Sequence, residues 1–360
     1  MAYPRERNYG CRLTTDGTLK GLRTLVMENQ LLRVTVLIDK GTDIYELLYK
    51  PQDIDFMWRS PMQLHHPKDF VSATASSLGF FYDHFEGAWQ EIVPNYGPPS
   101  SYKGAEFGLH GESNLLPWEF RVIEDRPERV SVDFWVRLYR SPFYIQKNLT
   151  LEADSGVLQI KEYIENEARE EMAVMWGHHP ALGEAFLDEN CTIDHGYRKS
   201  HTQKVLSFER QRLAVNCDHD WPLAQSITGE MIDMSKMPAP DNDSADLLYF
   251  TEPESAWYGV TNQRLELGFG MVWDIKTFPF LWMWQVCGGA YGYPWYGRTY
   301  NMALEIVSSP PDNGIASAIQ DQTALILPPG GRISTFANAI VYTGKGRLAK
   351  LHAGGAVEWK

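Results

Sequence analysis

Three short segments of this chain collect residue types that move protons. The first is Phe107-Gly108-Leu109-His110-Gly111-Glu112, where glycines on both sides of His110 let the backbone adopt positive φ and leave the imidazole projecting from a strand end or turn. The same histidine would equally serve to satisfy the turn itself. The second is Met175-Trp176-Gly177-His178-His179-Pro180. Adjacent histidines on a strand point to opposite faces, so only one of His178 and His179 enters a given cleft while the other packs or meets water. Pro180 is expected to end the ladder at a rim. An imidazole, with an ordinary pKa of about 6.5, donates a proton readily near neutrality. The third is Ala303-Leu304-Glu305-Ile306-Val307-Ser308-Ser309-Pro310-Pro311-Asp312. Glu305 stands alone as a charge between Thr299 and Pro311, and burial would raise its pKa toward that of a general base. A strand glutamate facing solvent is the alternative.

Rings surround these segments. The chain holds 12 Trp, 18 Tyr and 16 Phe, more than a core alone requires. The run Phe80 to Glu91 mixes aromatic rings with carboxylates and amides, and Trp282-Met283-Trp284-Gln285 sets two rings on one strand face. Flat apolar surface beside hydrogen-bonding groups suits a sugar, whose C–H face stacks while its hydroxyls bond to amides and carboxylates. Trp89 and Trp284 are the expected platforms, with Glu86, Gln90, Asn95 and Gln285 as hydroxyl contacts.

The elements that must position these groups are strands. Period-two alternation of apolar and polar residues predicts strands at Leu32–Val36, Val130–Leu138, Val157–Tyr163, Leu265–Trp273, Phe280–Val286, Met302–Val307 and Ile333–Tyr342. Turn signals stand between them at Thr15-Asp16-Gly17, Asp39-Lys40-Gly41, Ala153-Asp154-Ser155-Gly156 and Pro328-Pro329-Gly330-Gly331. Helical periods free of Gly and Pro are scarce. The pattern predicts an all-β antiparallel sandwich or barrel. With 360 residues and no low-complexity linker, one large domain over 1–360 is expected, with room for a small N-terminal subdomain over 1–67.

Composition narrows the partners. A net charge of −13, with the acidic residues scattered, argues against nucleic acid or an anionic membrane. The longest uncharged stretch, Thr277 to Gly297, is broken by prolines and glycines and makes no spanning helix. No signal peptide is visible at the start, so a cytoplasmic location is expected. Cys11, Cys191, Cys217 and Cys287 lie far apart, without zinc-ribbon or disulfide-framework spacing, and are expected to be reduced packing residues. No nucleotide-binding loop and no metal-spaced histidine pattern occurs, so no cofactor and no metal are expected.

Taken in chain order, G-L-H-G, then H-H-P, then L-E-x-x-x-x-P-P-D resembles the aldose 1-epimerase (galactose mutarotase-like) superfamily, in a poorly characterised branch. The resemblance covers most of the chain, from the Gly41 region to the strand near Val341. It implies a large antiparallel β-supersandwich and catalytic roles for His110, His179 and Glu305. In that reading Glu305 takes the proton from the anomeric hydroxyl, His179 protonates the ring oxygen and His110 bonds nearby. Arg59 would stand in for an upstream arginine of the family, and His178 remains the alternative to His179. Proline follows the central histidine here, where typical mutarotases have an aromatic. The implied partner is a small free sugar, handled by a monomer or homodimer. A lyase or hydrolase of modified sugars on the same scaffold, and a non-catalytic sugar-binding protein, are the alternatives.

Overall fold

The computed structural model describes residues 7–69, 76–310 and 314–360. Pro311 and Asp312 of the third motif lie outside the described residues. Alternation of side chains makes strands wherever the sequence alternates. β1 (Arg12–Leu19), β2 (Leu22–Glu28), β3 (Leu32–Leu37) and β4 (Asp43–Tyr49) form an antiparallel meander. It continues through the opposed pair Ile44 and Trp89 into β5 (Trp89–Ile92). The second set is β6 (Glu119–Arg126), β7 (Arg129–Arg137), β8 (Phe143–Glu152) and β9 (Val157–Asn166), again paired in sequence order. β10 (Gly177–Gly183), β11 (Cys191–Thr202), β12 (Ser244–Asn262), β13 (Leu267–Trp273), β14 (Phe280–Cys287), β15 (Tyr300–Val307) and β16 (Arg332–Thr343) complete the main framework.

The long strand β12 joins the layers. Its first half pairs with β14, leading through β15 and β10 to β5 and the N-terminal meander. Its second half pairs with β13, leading through β16 to β9 and the second set. β11 runs along the other side of β12 over both halves. The result is a large antiparallel β-supersandwich, with the apolar faces of both layers buried between them. Rings cross the core, as where Trp89 of β5 meets Phe269 of β13 at 6.3 Å.

All seven predicted strands are present, with ends moved by one to three residues. Two local expectations are corrected. Thr15-Asp16-Gly17 is not a turn: it lies inside β1, where the register against β2 shifts between Thr14 and Gly17. One extra residue there is absorbed as a bulge, which glycine tolerates. Pro180 does not end its strand either. β10 runs on to Gly183, with Pro180 opposite Trp89 on one side. On its other side the ladder to β15 holds His178 opposite Ile306 and Ala181 opposite Ala303, and skips the two positions between, where Pro180 has no N–H to give.

The core also buries charge. Lys40 Nζ lies 2.6 Å from Asp43 Oδ2 and 2.7 Å from Glu86 Oε2, with all three side chains essentially inaccessible. Burial pushes the Asp43 carboxyl well above its usual range, so the Lys40 ammonium does not face two full negative charges. We expect Lys40→Met to destabilise the protein by about 3–5 kcal/mol, because it strands buried acids without their cation. Urea unfolding measures this, and a loss below about 1 kcal/mol would show that the cluster does not hold the fold.

Candidate active site

The site is built on one sheet row. Because β10 pairs His178 with Ile306 and Ala181 with Ala303, His179 falls directly across from Glu305 on β15. Glu305 in turn stands opposite Trp282 on β14. Directly opposed residues share a face, so Trp282, Glu305 and His179 project together. His179 Nε2 lies 3.5 Å from Glu305 Oε1, and both side chains are almost wholly buried. His178 takes the other face, as the period of two requires. There its Nδ1 accepts from Trp89 Nε1 at 3.3 Å and its Nε2–H donates to Glu162 Oε2 at 2.9 Å. The neighbouring Glu91 completes that buried network, accepting from Trp176 Nε1 at 3.0 Å and pairing with Lys147 at 2.9 Å.

His110 reaches the same place from a loop. Its own φ is 57° and that of Gly111 is 64°, two successive left-handed residues that turn the imidazole inward. A side chain at Gly111 would meet the Val93 carbonyl oxygen at 2.7 Å, so glycine is required there. His110 Nδ1 accepts the Gly97 backbone N–H at 3.2 Å, which fixes the proton on Nε2. The His110 and His179 rings are 5.5 Å apart.

A cavity of about 570 Å³ opens above these three side chains. The short helix α1 (Gly79–Asp83) supplies Phe81 and the chain two residues beyond it Phe85, while Trp284 and Trp295 close another wall. These rings pack on one another, with Trp284 and Trp295 at 5.9 Å and Phe85 and Trp295 at 5.9 Å. Burial under this aromatic cover has opposite effects on the two opposed groups. It pushes Glu305 up to about 8 and His179 down to about 4. His110 is also held well below its ordinary value, by burial and by His179. At neutral pH the resting pair is therefore a protonated carboxyl beside a neutral imidazole, with one transferable proton between them. That resting arrangement is the reverse of the expected one, in which Glu305 is the base and His179 the acid.

Of the residues expected from the sequence, His110, His179, Glu305 and Trp284 line the cavity. The others are engaged elsewhere. Trp89 and His178 belong to the network behind β10. Glu86 is held by Lys40. Gln90 donates to Asp43 and accepts from Asn114 at 3.2 and 3.3 Å. Asn95 ties the His110 loop together, donating to the carbonyls of Pro98 and Gly108 and accepting from the N–H of Ile315. Gln285 accepts from Arg212 at 2.9 Å, and Arg59 pairs with Asp55 at 2.5 Å over the ring of Tyr45. Among the described residues, no three His, Cys, Asp or Glu side chains group as metal ligands. No helix among them is long and apolar enough to cross a membrane.

Sequence reading missed Tyr96. Its fully buried phenol donates to Glu305 Oε2, on the oxygen not facing His179. The space for it comes from Gly177, where a Cβ would meet the Tyr96 ring at 2.6 Å. A tyrosine two residues after Pro94 in a loop carries no periodic signal, but a glycine opening a buried strand beside two histidines is a trace of it. This bond holds Glu305 lower than burial alone would. Tyr96→Phe is expected to raise the Glu305 pKa, read by carboxyl infrared titration against wild type. A Glu305 titration that stays in place or moves down would remove Tyr96 from this role.

The fold is shared with solved structures of low sequence identity. A candidate aldose 1-epimerase of Klebsiella pneumoniae superposes with a TM-score of 0.70 at 13% identity, covering 93% of this chain and 83% of that one. A galactose mutarotase related enzyme of Lactobacillus acidophilus matches with a TM-score of 0.60 at 15% identity, over 89% of this chain and 98% of that one. A galactose mutarotase-like protein of Clostridium acetobutylicum matches with a TM-score of 0.60 at 12% identity, over 93% and 99%. At these identities the likeness establishes a galactose mutarotase-like fold. No curated protein matches the sequence. Residues 19–336 match the model of a family described as a domain of unknown function, DUF4432, and the chain belongs to that family.

Proposed function

We propose that this protein is a carbohydrate-active isomerase of the aldose 1-epimerase type, interconverting the α and β anomers of a free sugar. The observation that carries the reading is the cross-strand pair His179 and Glu305, 3.5 Å apart at the base of an aromatic-walled cavity. Anomerisation needs that equipment. One group takes the proton of the anomeric hydroxyl while another gives a proton to the ring oxygen, and the C1–O5 bond breaks to leave the open aldehyde. The pair ends with its proton on the other member. After rotation about C1–C2, the carbonyl is attacked from its other face by the C5 hydroxyl. The proton transfers then run backward and restore the pair. His110, neutral and donating through Nε2, is placed to bond a sugar oxygen without entering the proton count.

The chemistry is proton transfer alone and calls on no cofactor. A non-catalytic binding protein would have no use for a carboxyl and an imidazole whose pKa values burial moves in opposite directions.

NMR exchange between anomers, run over a panel of free aldoses, tests the proposal. We expect exchange faster than the buffer blank with wild type, falling about 10²–10⁴-fold in Glu305→Gln. Full activity in that variant, or no acceleration of any sugar, would overturn the proposal. Solvent deuterium appearing at a ring carbon would move it to a lyase.

The pH profile is a separate check. Below about 4 both members of the pair carry protons and no base remains, and above about 8 neither does and no acid remains. Activity should therefore be bell-shaped between those limits. A flat profile from pH 5 to 9 would contradict the shared-proton pair.

A further inference from the structure

Resting on the anomerisation reading, the polar capacity of the cavity says which sugars it suits. The three acid–base side chains account for the anomeric hydroxyl, the ring oxygen and one neighbouring oxygen. Beyond them the described lining residues offer few side-chain hydrogen-bonding groups. Gln203 and Ser207 are bonded to each other, and Lys204, the one cation among the described lining residues, already has an interaction of its own. The phenol of Tyr82 remains, together with the Trp282 indole nitrogen, which is buried without a partner. That is provision for two ring hydroxyls. The other polar side chains that a hexose would have called on, Glu86, Gln90, Asn95, Gln285 and Arg59, are engaged behind the walls.

Away from the acid–base groups the walls of the cavity are mainly carbon, although Gln203, Lys204 and Ser207 share the mouth. Leu109 and Leu247 extend the aromatic walls, and the mouth is lined by Leu78, Val205 and Leu206, which are 45%, 70% and 61% exposed. Apolar side chains gathered at the entrance of a cavity mark what it receives. A hydroxyl or carboxylate brought against the buried Leu109, Trp284 and Trp295 wall would lose water and gain no hydrogen bond from those carbon surfaces.

We propose that the cavity takes a neutral reducing sugar whose edge remote from the anomeric carbon is apolar, in its simplest form a 6-deoxyhexose. The inner groups handle the anomeric end, and the methyl group at C6 packs against the leucine and tryptophan wall.

Two matched series test this, each differing only at C6: D-glucose, 6-deoxy-D-glucose and D-glucuronate, and D-galactose, D-fucose and D-galacturonate. Wild-type anomer exchange is measured by NMR, with quenching of the cavity tryptophans titrated in parallel as a binding readout. We expect kcat/KM for the 6-deoxy member to exceed that of the hydroxymethyl member by about tenfold or more, with the uronate weakest. The same order is expected in the binding titration. If no sugar is exchanged but the 6-deoxy members bind tightest, the anomerisation reading fails and the specificity stands. If the hexose or the uronate equals or exceeds the 6-deoxy sugar in the assay that responds, or if none of them binds, the proposal is overturned.

Discussion

The arrangement depends on the register of β10, and a buried hydrogen bond fixes it. His178 donates to Glu162 across the core, on the far side of the strand from the cavity. A slip of one residue would exchange the faces of every side chain on β10. It would place His178 before the cavity and drive His179 into a core already holding Glu91, Glu162 and Lys147. Each of those groups is buried and paired, so the displaced arrangement would leave buried charge unmatched. The histidine that does not face the cavity thus decides which one does.

The same burial sets the chemistry. Glu305 carries no matching cation, in contrast to Glu91 with Lys147 and Glu86 with Lys40. Its nearest polar neighbours are a phenol and an imidazole, which stabilise a carboxylate less than an ammonium does. Desolvation therefore wins at Glu305 and its pKa rises, whereas the Lys147 ammonium holds Glu91 below its ordinary value. Glu91 and Glu305, both buried in the same sheet, thus differ by whether a lysine stands beside the carboxyl. Small residues then leave space: Ala181 and Ala303 oppose each other two positions along from His179 and Glu305, under the ring of Trp284.

A large share of the fold was legible because period-two alternation is a local property. A strand such as Phe280–Cys287 announces itself whatever it pairs with, and the three candidate segments were visible because glycine, histidine and an isolated glutamate stand out among apolar neighbours. Pro180 misled because its effect on a ladder depends on which side of the strand needs its N–H, a fact of pairing. The hydroxyl contacts misled in a similar way. Gln90 and Asn95 are amides close in sequence to rings and carboxylates, yet both are consumed by holding the chain together.

The sequence by itself determined the strand-rich architecture and the identity of His110, His179 and Glu305 as chemically apt residues, since residue type and alternation are written locally. Tertiary structure alone decided that His179 rather than His178 meets Glu305, that Tyr96 supports the carboxyl, and that the cavity above them is largely apolar. Those outcomes come from pairing strands distant in the chain, and from which side chains lose their water when the two layers close. No window of the sequence contains either fact.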